Sequence, residues 1–440
     1  MPISPVVRWT MRLAATALVV ALAGLLGVRV YGKSRLAAAE RVFAARVGPR
    51  EASAYASAPV PDEENAAVLL RAGAEAMILP GNDRPQVGEM TLTRPDRWSE
   101  SQRSDLRRIL ANNGPALELL HRAAGMTKSR FGAVTWDKRT HELMTPPLLK
   151  LITAQRLLLL DAREALLEHK SARLMADAAS MATMAAGLER ESARVELLVG
   201  IACEKMLLAV VSDAVADSFT DRETLTKLQG MVGDTDLKAA WRRSNVAEQA
   251  EIGRHVAAAI SDPLLGRQEE VGLYGRFMEF AVGNIFLAQM LELRADLIAA
   301  VDQPLGLDPP WLGRGMYQPR TMFGVFESVM FPEGAKAAGR VQSTLSARSL
   351  ANIALALRLL GLETGSYPAT LKGIAGATQP DPFAGKPLTY ERRADGSARI
   401  SVPDFEALWK CISDASASSQ PVTWELPAPA LRPPQKDARR

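Results

Sequence analysis

Apolar residues recur every three to four positions along most of the chain, and this spacing predicts a mainly α-helical protein. The clearest case is a pair of helices over 148–170 and 171–190, separated by a short turn. Consecutive helix pairs of this size occur in multi-helix bundles and in α-solenoid-like arrays, and no signature residues at a fixed period distinguish the two here. The other expected helical segments are 191–234, 236–261, 268–302 and 340–361.

The helical domain is predicted to span 62–339. Acidic residues at 62–64 place negative charge where a helix N-terminus favours it, just before an apolar run. Residues 79–98 contain turn-forming residues throughout and are predicted to form a loop. Asn113 and Gly114 break the next helical pattern, and Pro115 is allowed in the first turn of the helix that follows.

The pattern differs near the N-terminus, where the segment from Leu13 to Val28 carries no charge. Extended to Trp9 and Tyr31, this segment would be about 34 Å long as a helix, enough for a hydrocarbon core of about 30 Å. The two aromatic residues would then lie at the two membrane interfaces. The sequence therefore predicts a transmembrane anchor with basic flanks over 1–35, followed by a linker over 36–61.

A cleaved signal peptide is the alternative interpretation, because Ala37 and Ala39 form a small-residue cleavage pattern. Three cations, Arg29, Lys33 and Arg35, separate the apolar segment from that pattern. Such an arrangement is poor for cleavage, so an uncleaved anchor is favoured.

Charge is concentrated around this span. Residues 1–50 carry a formal charge of +7 and the whole chain carries +4, so the remainder is slightly acidic. This distribution is typical of a membrane anchor with basic flanks and argues against a nucleic-acid partner. More cations follow the span than precede it, which by the positive-inside rule favours a cytoplasmic domain.

One stretch, 304–335, interrupts the helical pattern with prolines, glycines and aromatic residues. Long loops of this kind on a helical scaffold form binding surfaces or pack against a neighbouring helix. Its aromatic residues are candidates for an interaction with a ligand or a protein partner: Trp311, Tyr317, Phe323, Phe326 and Phe331.

A C-terminal module of one helix and a β-hairpin is predicted over 340–402. Leu388 and Tyr390 alternate on one strand, and Ala398 and Ile400 do so on the other. Asp395-Gly396 supplies the turn, and Gly385 permits a positive φ in the connection before the hairpin. Residues 403–440 are predicted to be a tail that is disordered at its proline-rich end.

The motif residues of this module resemble the C-terminal half of the major pseudopilin of type II secretion systems. The matching positions are Gly365, Tyr367, Pro368, Leu371, Asp381, Pro382, Phe383, Gly385, Lys386, Pro387, Leu388 and Tyr390. The layout is also similar to a group of membrane-anchored helical bacterial proteins that end in this way. The resemblance covers about 40 residues and implies a structural module and a place in the cell envelope, with a periplasmic domain at the inner membrane. The pseudopilin processing motif and calcium loop do not appear in the sequence, so pilus assembly and a calcium site are not implied.

Residues with catalytic potential are scattered. The histidines His121, His141, His169 and His255 lie on separate segments, and "HELMTPP" lacks the second histidine of a zinc-protease motif. No phosphate-binding or nucleophile-elbow motif appears in the sequence. Carboxylates such as Glu189, Glu191, Asp234 and Asp236 are expected on solvated helix faces and turns. Cys203 is expected to be buried and inert, and the methionines at 175, 181 and 184 are expected in the core. No catalytic, cofactor or metal residue is therefore assigned.

Three function classes remain open. A membrane-anchored scaffold or interaction protein of the bacterial cell envelope is favoured, because helices dominate and catalytic motifs are missing from the sequence. An accessory component of a secretion or envelope transport system is supported only by the pseudopilin resemblance. An enzyme that uses the 304–335 region is the third class.

Overall fold

The computed structural model describes residues 5–48, 58–81, 83–132, 135–137, 142–144, 147–233, 235–248, 273–305, 334–412 and 422–429. The helices are α1 (Pro5–Arg46), α2 (Ala66–Ala76), α3 (Asp83–Leu92), α4 (Glu100–Asn112), α5 (Gly114–Ala123), α6 (Leu148–Leu167), α7 (Ser171–Glu189), α8 (Arg194–Ala216), α9 (Arg222–Gln229), α10 (237–248), α11 (Leu273–Ala299), α12 (Gly334–Thr364) and α13 (Phe405–Ile412). The strands are β1 (Thr135–Asp137), β2 (Glu142–Met144), β3 (Thr389–Arg392), β4 (Ala398–Ser401) and β5 (Thr423–Leu426). The prediction of a mainly helical protein is confirmed.

The chain divides into two compact units, and α1 packs against α11 in the first of them. Phe43 is 1% exposed and lies in an apolar cluster with Leu291 and Ala295 of α11. Salt bridges join the same two helices, with Arg46 Nη1 2.8 Å from Asp296 Oδ1. The linker predicted from residue 36 is therefore wrong up to Arg46, because apolar residues on this part of α1 continue the helix and pack on α11.

Among the described residues, two helices are long and apolar enough to cross a membrane. In α12 the most apolar window is 61% buried inside the protein, as in the core helix of a soluble domain. In α1 that window is 0% buried, and it lies near the N-terminus. The N-terminal part of α1 is thus an apolar helix whose side chains face outward.

The second unit begins with four helices, α2 to α5. Asn65 caps α2, because its side chain accepts a hydrogen bond from Ala67 N at 3.1 Å. Ser99 and Gln102 form a capping box at the start of α4, and Pro115 lies in the first turn of α5 as predicted. The prediction of a loop over 79–98 was wrong for Asp83–Leu92, where Val87 and Met90 are buried and hold a helix against the core.

Helices α6, α7 and α8 pack on one another and form the centre of the second unit. The α6–α7 pair confirms the predicted helical hairpin, and its turn places His169 at a φ of 56°. Met181 and Met184 are fully buried, as expected for core residues. Gly200 of α8 permits a close approach to α7, because a Cβ atom there would lie 2.9 Å from the backbone nitrogen of Glu189.

The C-terminal part of the second unit confirms the predicted hairpin and extends it. Tyr390 of β3 pairs with Ile400 of β4, and Gly396 in the turn has a φ of 83°. β5 pairs with β4 and places Trp424 opposite Ile400, so the sheet has three strands. The predicted tail from 403 onward was wrong for α13 and β5, because Trp424, Leu426 and Phe405 bury apolar side chains that the short hairpin alone leaves uncovered.

We predict that Gly200→Ala destabilises the protein by about 1–3 kcal/mol, because the added methyl group overlaps the backbone of α7. Urea unfolding of the full chain in mild detergent, followed by tryptophan fluorescence, measures the change. Gly88→Ala in α3 is the matched control, since nothing lies within 4 Å of its Cβ position. The control should be neutral or stabilising by up to about 1 kcal/mol, because alanine favours a helix. Equal stability of the two variants would contradict the close packing of α7 and α8.

Candidate functional site

The aromatic candidates of the sequence analysis, Trp311, Tyr317, Phe323, Phe326 and Phe331, lie outside the described residues. Their interaction role stays a prediction. Two groups of described polar side chains, both in the second unit, are candidate sites.

The pseudopilin-like residues form a structural connection between α12 and the sheet. Asp381 accepts hydrogen bonds from the backbone nitrogens of Phe383 (2.9 Å) and Ala384 (2.8 Å), and Ser346 of α12 donates its hydroxyl to the same carboxylate at 2.6 Å. Gly385 has the expected positive φ, 68°, and Lys386 pairs with Asp404. The Ser346 hydrogen bond attaches the connection to α12.

The tyrosines of the motif are structural as well. Tyr367 is 1% exposed and donates its hydroxyl to the Pro427 carbonyl at 2.8 Å. Tyr390 donates to the Pro368 carbonyl, also at 2.8 Å. Pro382 and Pro387, which also belong to the motif, lie in the connection before β3. The motif is thus brought together as a packing element.

A cavity of about 400 Å³ opens beside α7 in the second unit. Alanines of α7, together with Met126, Leu207 and Met231, make its walls largely apolar. Its polar lining includes Glu189, Glu204, Thr235 and Arg348, which come from α7, α8, the segment before α10, and α12. We call this space the glutamate cavity.

Arg348 holds the two glutamates of the cavity together. Its Nη2 atom lies 3.0 Å from Glu189 Oε2 and 2.8 Å from Glu204 Oε2. Its Nε atom lies 2.5 Å from Glu204 Oε1, and its Nη1 atom donates to the Thr235 carbonyl. Glu189, Glu204 and Arg348 are 1%, 3% and 7% exposed. One guanidinium therefore faces two buried carboxyl groups.

Two negative charges beside one positive charge favour a proton on one of the glutamates. Burial, followed by the nearby Glu204 carboxylate, raises the pKa of Glu189 well above its ordinary value, and Arg348 offsets only part of the rise. A protonated Glu189 can donate a hydrogen bond or a proton to a molecule in the cavity. The cavity thus offers one acidic donor in an apolar surrounding.

We expected Glu189, Glu191, Asp234 and Asp236 on solvated helix faces and turns. This expectation was wrong for Glu189 and Glu191. Glu191 is fully buried, pairs with Arg130 at 2.8 Å, and accepts from Phe131 N at 2.7 Å. Asp236 is exposed and caps α10, as expected, whereas Asp234 lies outside the described residues. A sequence signal for Glu204 existed, because Glu204 and Lys205 interrupt an apolar helical run, and a charge buried there requires a partner.

A second polar group lies where α5, α6 and α7 meet. Ligand atoms of His121, Asp161 and Asp177 all lie within 4.8 Å of one another, and we call these residues the histidine cluster. His121 Nε2 is 2.7 Å from Asp177 Oδ1, and Arg173 pairs with Asp161. These are the residues that could hold a metal ion among those the structure describes.

The charges of the histidine cluster influence one another. The hydrogen bond to Asp177 raises the pKa of His121 above its ordinary value. Burial raises the pKa of Asp177 to about 7, and the nearby Asp161 charge adds to the rise. Sequence reasoning treated His121 as an isolated residue, because Asp161 and Asp177 are 40 and 56 positions away and only the packing of three helices joins them.

Of the other histidines, His169 lies in the α6–α7 turn against Phe219, with ring centroids 4.7 Å apart. His141 and His255 lie outside the described residues. Cys203 is buried, and burial raises the pKa of its thiol, so it is inert as expected.

No known protein family, no curated protein and no solved structure matches the chain.

We predict that Glu189→Gln makes the protein more stable than the wild type at pH 8 and that this difference grows as the pH rises from 5. The raised pKa of Glu189 contributes stability below its ordinary pKa of about 4.5, and that contribution is lost as the pH rises through the raised value. Glutamine stays neutral while its carbonyl still accepts from Arg348. The gain at pH 8 should be at least about 1 kcal/mol, measured by urea unfolding of the full chain in detergent.

Glu204→Gln is the matched comparison and should destabilise the protein by about 3–5 kcal/mol at pH 8, because it leaves the buried Arg348 without its closest carboxylate. Parallel pH profiles for the wild type and Glu189→Gln would contradict the protonated state of Glu189. So would a smaller destabilisation by Glu204→Gln than by Glu189→Gln.

Proposed function

We propose that the protein is a membrane-anchored scaffold or interaction protein of the bacterial cell envelope. In this proposal the N-terminal part of α1 spans the inner membrane once, and a bundle or solenoid-like array of helices is held at the periplasmic face. The observation that carries the proposal is the outward-facing apolar segment of α1.

The apolar segment of α1 exposes large side chains on all sides. Leu18, Val20 and Leu22 are between 55% and 65% exposed. Burial of apolar surface is favourable by about 25 cal/mol per Å², so a helix of this kind requires a lipid or protein environment. Trp9 and Tyr31 at its two ends, both well exposed, are placed as interfacial anchors.

The interaction role rests on the helical domain. The glutamate cavity combines apolar walls with a few convergent polar groups, which is the usual composition of a ligand site. The 304–335 segment supplies the aromatic residues proposed to contact a protein partner. Placement of the domain in the periplasm rests on the pseudopilin resemblance of the C-terminal module and opposes the distribution of cations around the span.

We predict that Leu18→Arg together with Leu22→Arg releases most of the full chain from the membrane. Each arginine near the centre of a span costs about 2.5–3.5 kcal/mol of insertion free energy. The measurement is the fraction of protein that stays in the membrane pellet after alkaline carbonate extraction. Ala38→Arg with Val42→Arg is the matched control, because these exposed residues lie on the same helix beyond Tyr31 and have the same spacing. The control should stay in the pellet, and equal release of both double variants would contradict the span.

Reporter fusions after residue 60 test the side of the membrane. We expect a fused alkaline phosphatase to be active and a fused green fluorescent protein to be dark, as in an oxidising periplasm. The reverse pattern would overturn the envelope placement and leave the anchor itself intact.

A further inference from the structure

We propose that His121, Asp161 and Asp177 form a binding site for a divalent first-row transition metal ion, with zinc as the probe that represents the class. One imidazole and two carboxylates are the mixed nitrogen and oxygen donors that such ions accept. Each residue comes from a different helix, α5, α6 or α7, so the three donors converge from a packed core. Sites held by rigid helices keep their ligands in a fixed arrangement.

One buried carboxylate oxygen of the histidine cluster has no hydrogen-bond partner among the described residues, and a cation would pair with it. Asp177 is fully buried, and only its Oδ1 atom meets His121, whereas its Oδ2 atom has no hydrogen-bond partner among the described residues. An unpaired buried acceptor costs free energy, and the cost is larger where the group is charged. A metal ion bound by Asp177 removes that cost.

The cluster is accessible from one side. His121 and Asp161 line an open cavity of about 530 Å³, whereas Asp177 lies behind them in the core. An ion can therefore enter from solvent and keep coordination positions free toward the cavity. Three protein ligands with open positions are typical of a reactive metal site, in contrast to the closed four-ligand structural zinc sites.

A third carboxylate, that of Glu118, lines the same cavity. Glu118 precedes His121 by three residues on α5 and also lines the cavity. Residues three apart lie on the same face of a helix, and a Glu-x-x-His pair of this spacing supplies metal ligands in helical bundles. Glu118 is exposed, so it can bind the ion or a water molecule on the ion without being part of the buried set.

Two adjustments bring the ligands to an ion. Donor atoms around a tetrahedral zinc lie about 3.3 Å apart, so the 2.7 Å distance between His121 Nε2 and Asp177 Oδ1 must widen by about 0.6 Å. His121 has a side chain that is 30% exposed and can move toward the cavity. Arg173 must release Asp161. Its guanidinium can keep its second salt bridge, to Glu168 at 3.3 Å.

Arg173 therefore competes with the metal ion for Asp161, and this competition predicts the sign of the change in zinc affinity when Arg173 is replaced. Arg173→Gln should raise the affinity for zinc several-fold, because it removes a positive charge from the ligand set. A cluster that serves only as a salt-bridge network would show the opposite: loss of Arg173 would weaken the network and create no zinc site.

The experiment is zinc binding to the full chain in mild detergent, measured by competition with a chromophoric chelator. We expect one zinc per chain with a dissociation constant at or below the micromolar range. His121→Ala and Asp177→Asn should each weaken binding about 100-fold or more. His169→Asn is the control, since His169 is outside the cluster and asparagine tolerates its positive φ. The control should bind zinc like the wild type.

Cobalt provides a second readout that does not depend on variant stability. The wild type loaded with Co²⁺ should show the visible absorption bands of a bound ion, and Asp177→Asn, which keeps the volume of the side chain, should lose them. Three results would overturn the proposal: no zinc bound by the wild type, unchanged affinity in His121→Ala and Asp177→Asn, or weaker binding in Arg173→Gln.

Discussion

The contact of the buried Arg348 guanidinium with two buried glutamates, Glu189 and Glu204, is the constraint on which the second unit depends. A guanidinium 7% exposed cannot be left unpaired, because a buried charge without a partner costs several kcal/mol. Its partners are 144 and 159 positions away, on α8 and α7, so satisfying it fixes three helices at one point. The close approach at Gly200 lies beside the same Glu189, and the glutamate cavity is the space left next to this junction.

Buried polar contacts recur through the second unit and tie its helices to the C-terminal module. Arg163 of α6 pairs with Asp213 of α8 at 2.8 Å, and both are nearly buried. Ser346, two residues before Arg348 on α12, donates a hydrogen bond to Asp381 of the pseudopilin-like connection. The residues that resemble a pseudopilin thus attach a small sheet to a helix whose other contacts hold the glutamates. In the first unit, by contrast, α1 and α11 pack through an apolar cluster with ion pairs at the exposed edge.

Local sequence rules explain the elements that were predicted. The helical spacing of apolar residues over 148–190 predicted α6 and α7, and Asp395-Gly396 predicted the turn between β3 and β4. Each of these signals acts over a few residues. The polar clusters could not be predicted in the same way. Glu189 finds Arg348, and His121 finds Asp177, only after helices far apart in sequence have packed. The continuation of α1 to Arg46 was not predicted, for the same reason. Small residues in this part of the chain favoured a linker, and only the packing against α11 buries this part of the helix.

A double-mutant cycle between Glu204 and Arg348 tests this central constraint most directly. The variants are Glu204→Gln, Arg348→Met and their combination, and the measurement is the free energy of urea unfolding of the full chain in detergent. We predict a coupling energy of at least about 2 kcal/mol, with the double variant less destabilised than the sum of the single variants. A coupling energy below about 0.5 kcal/mol would show that the two side chains act independently and would contradict the account.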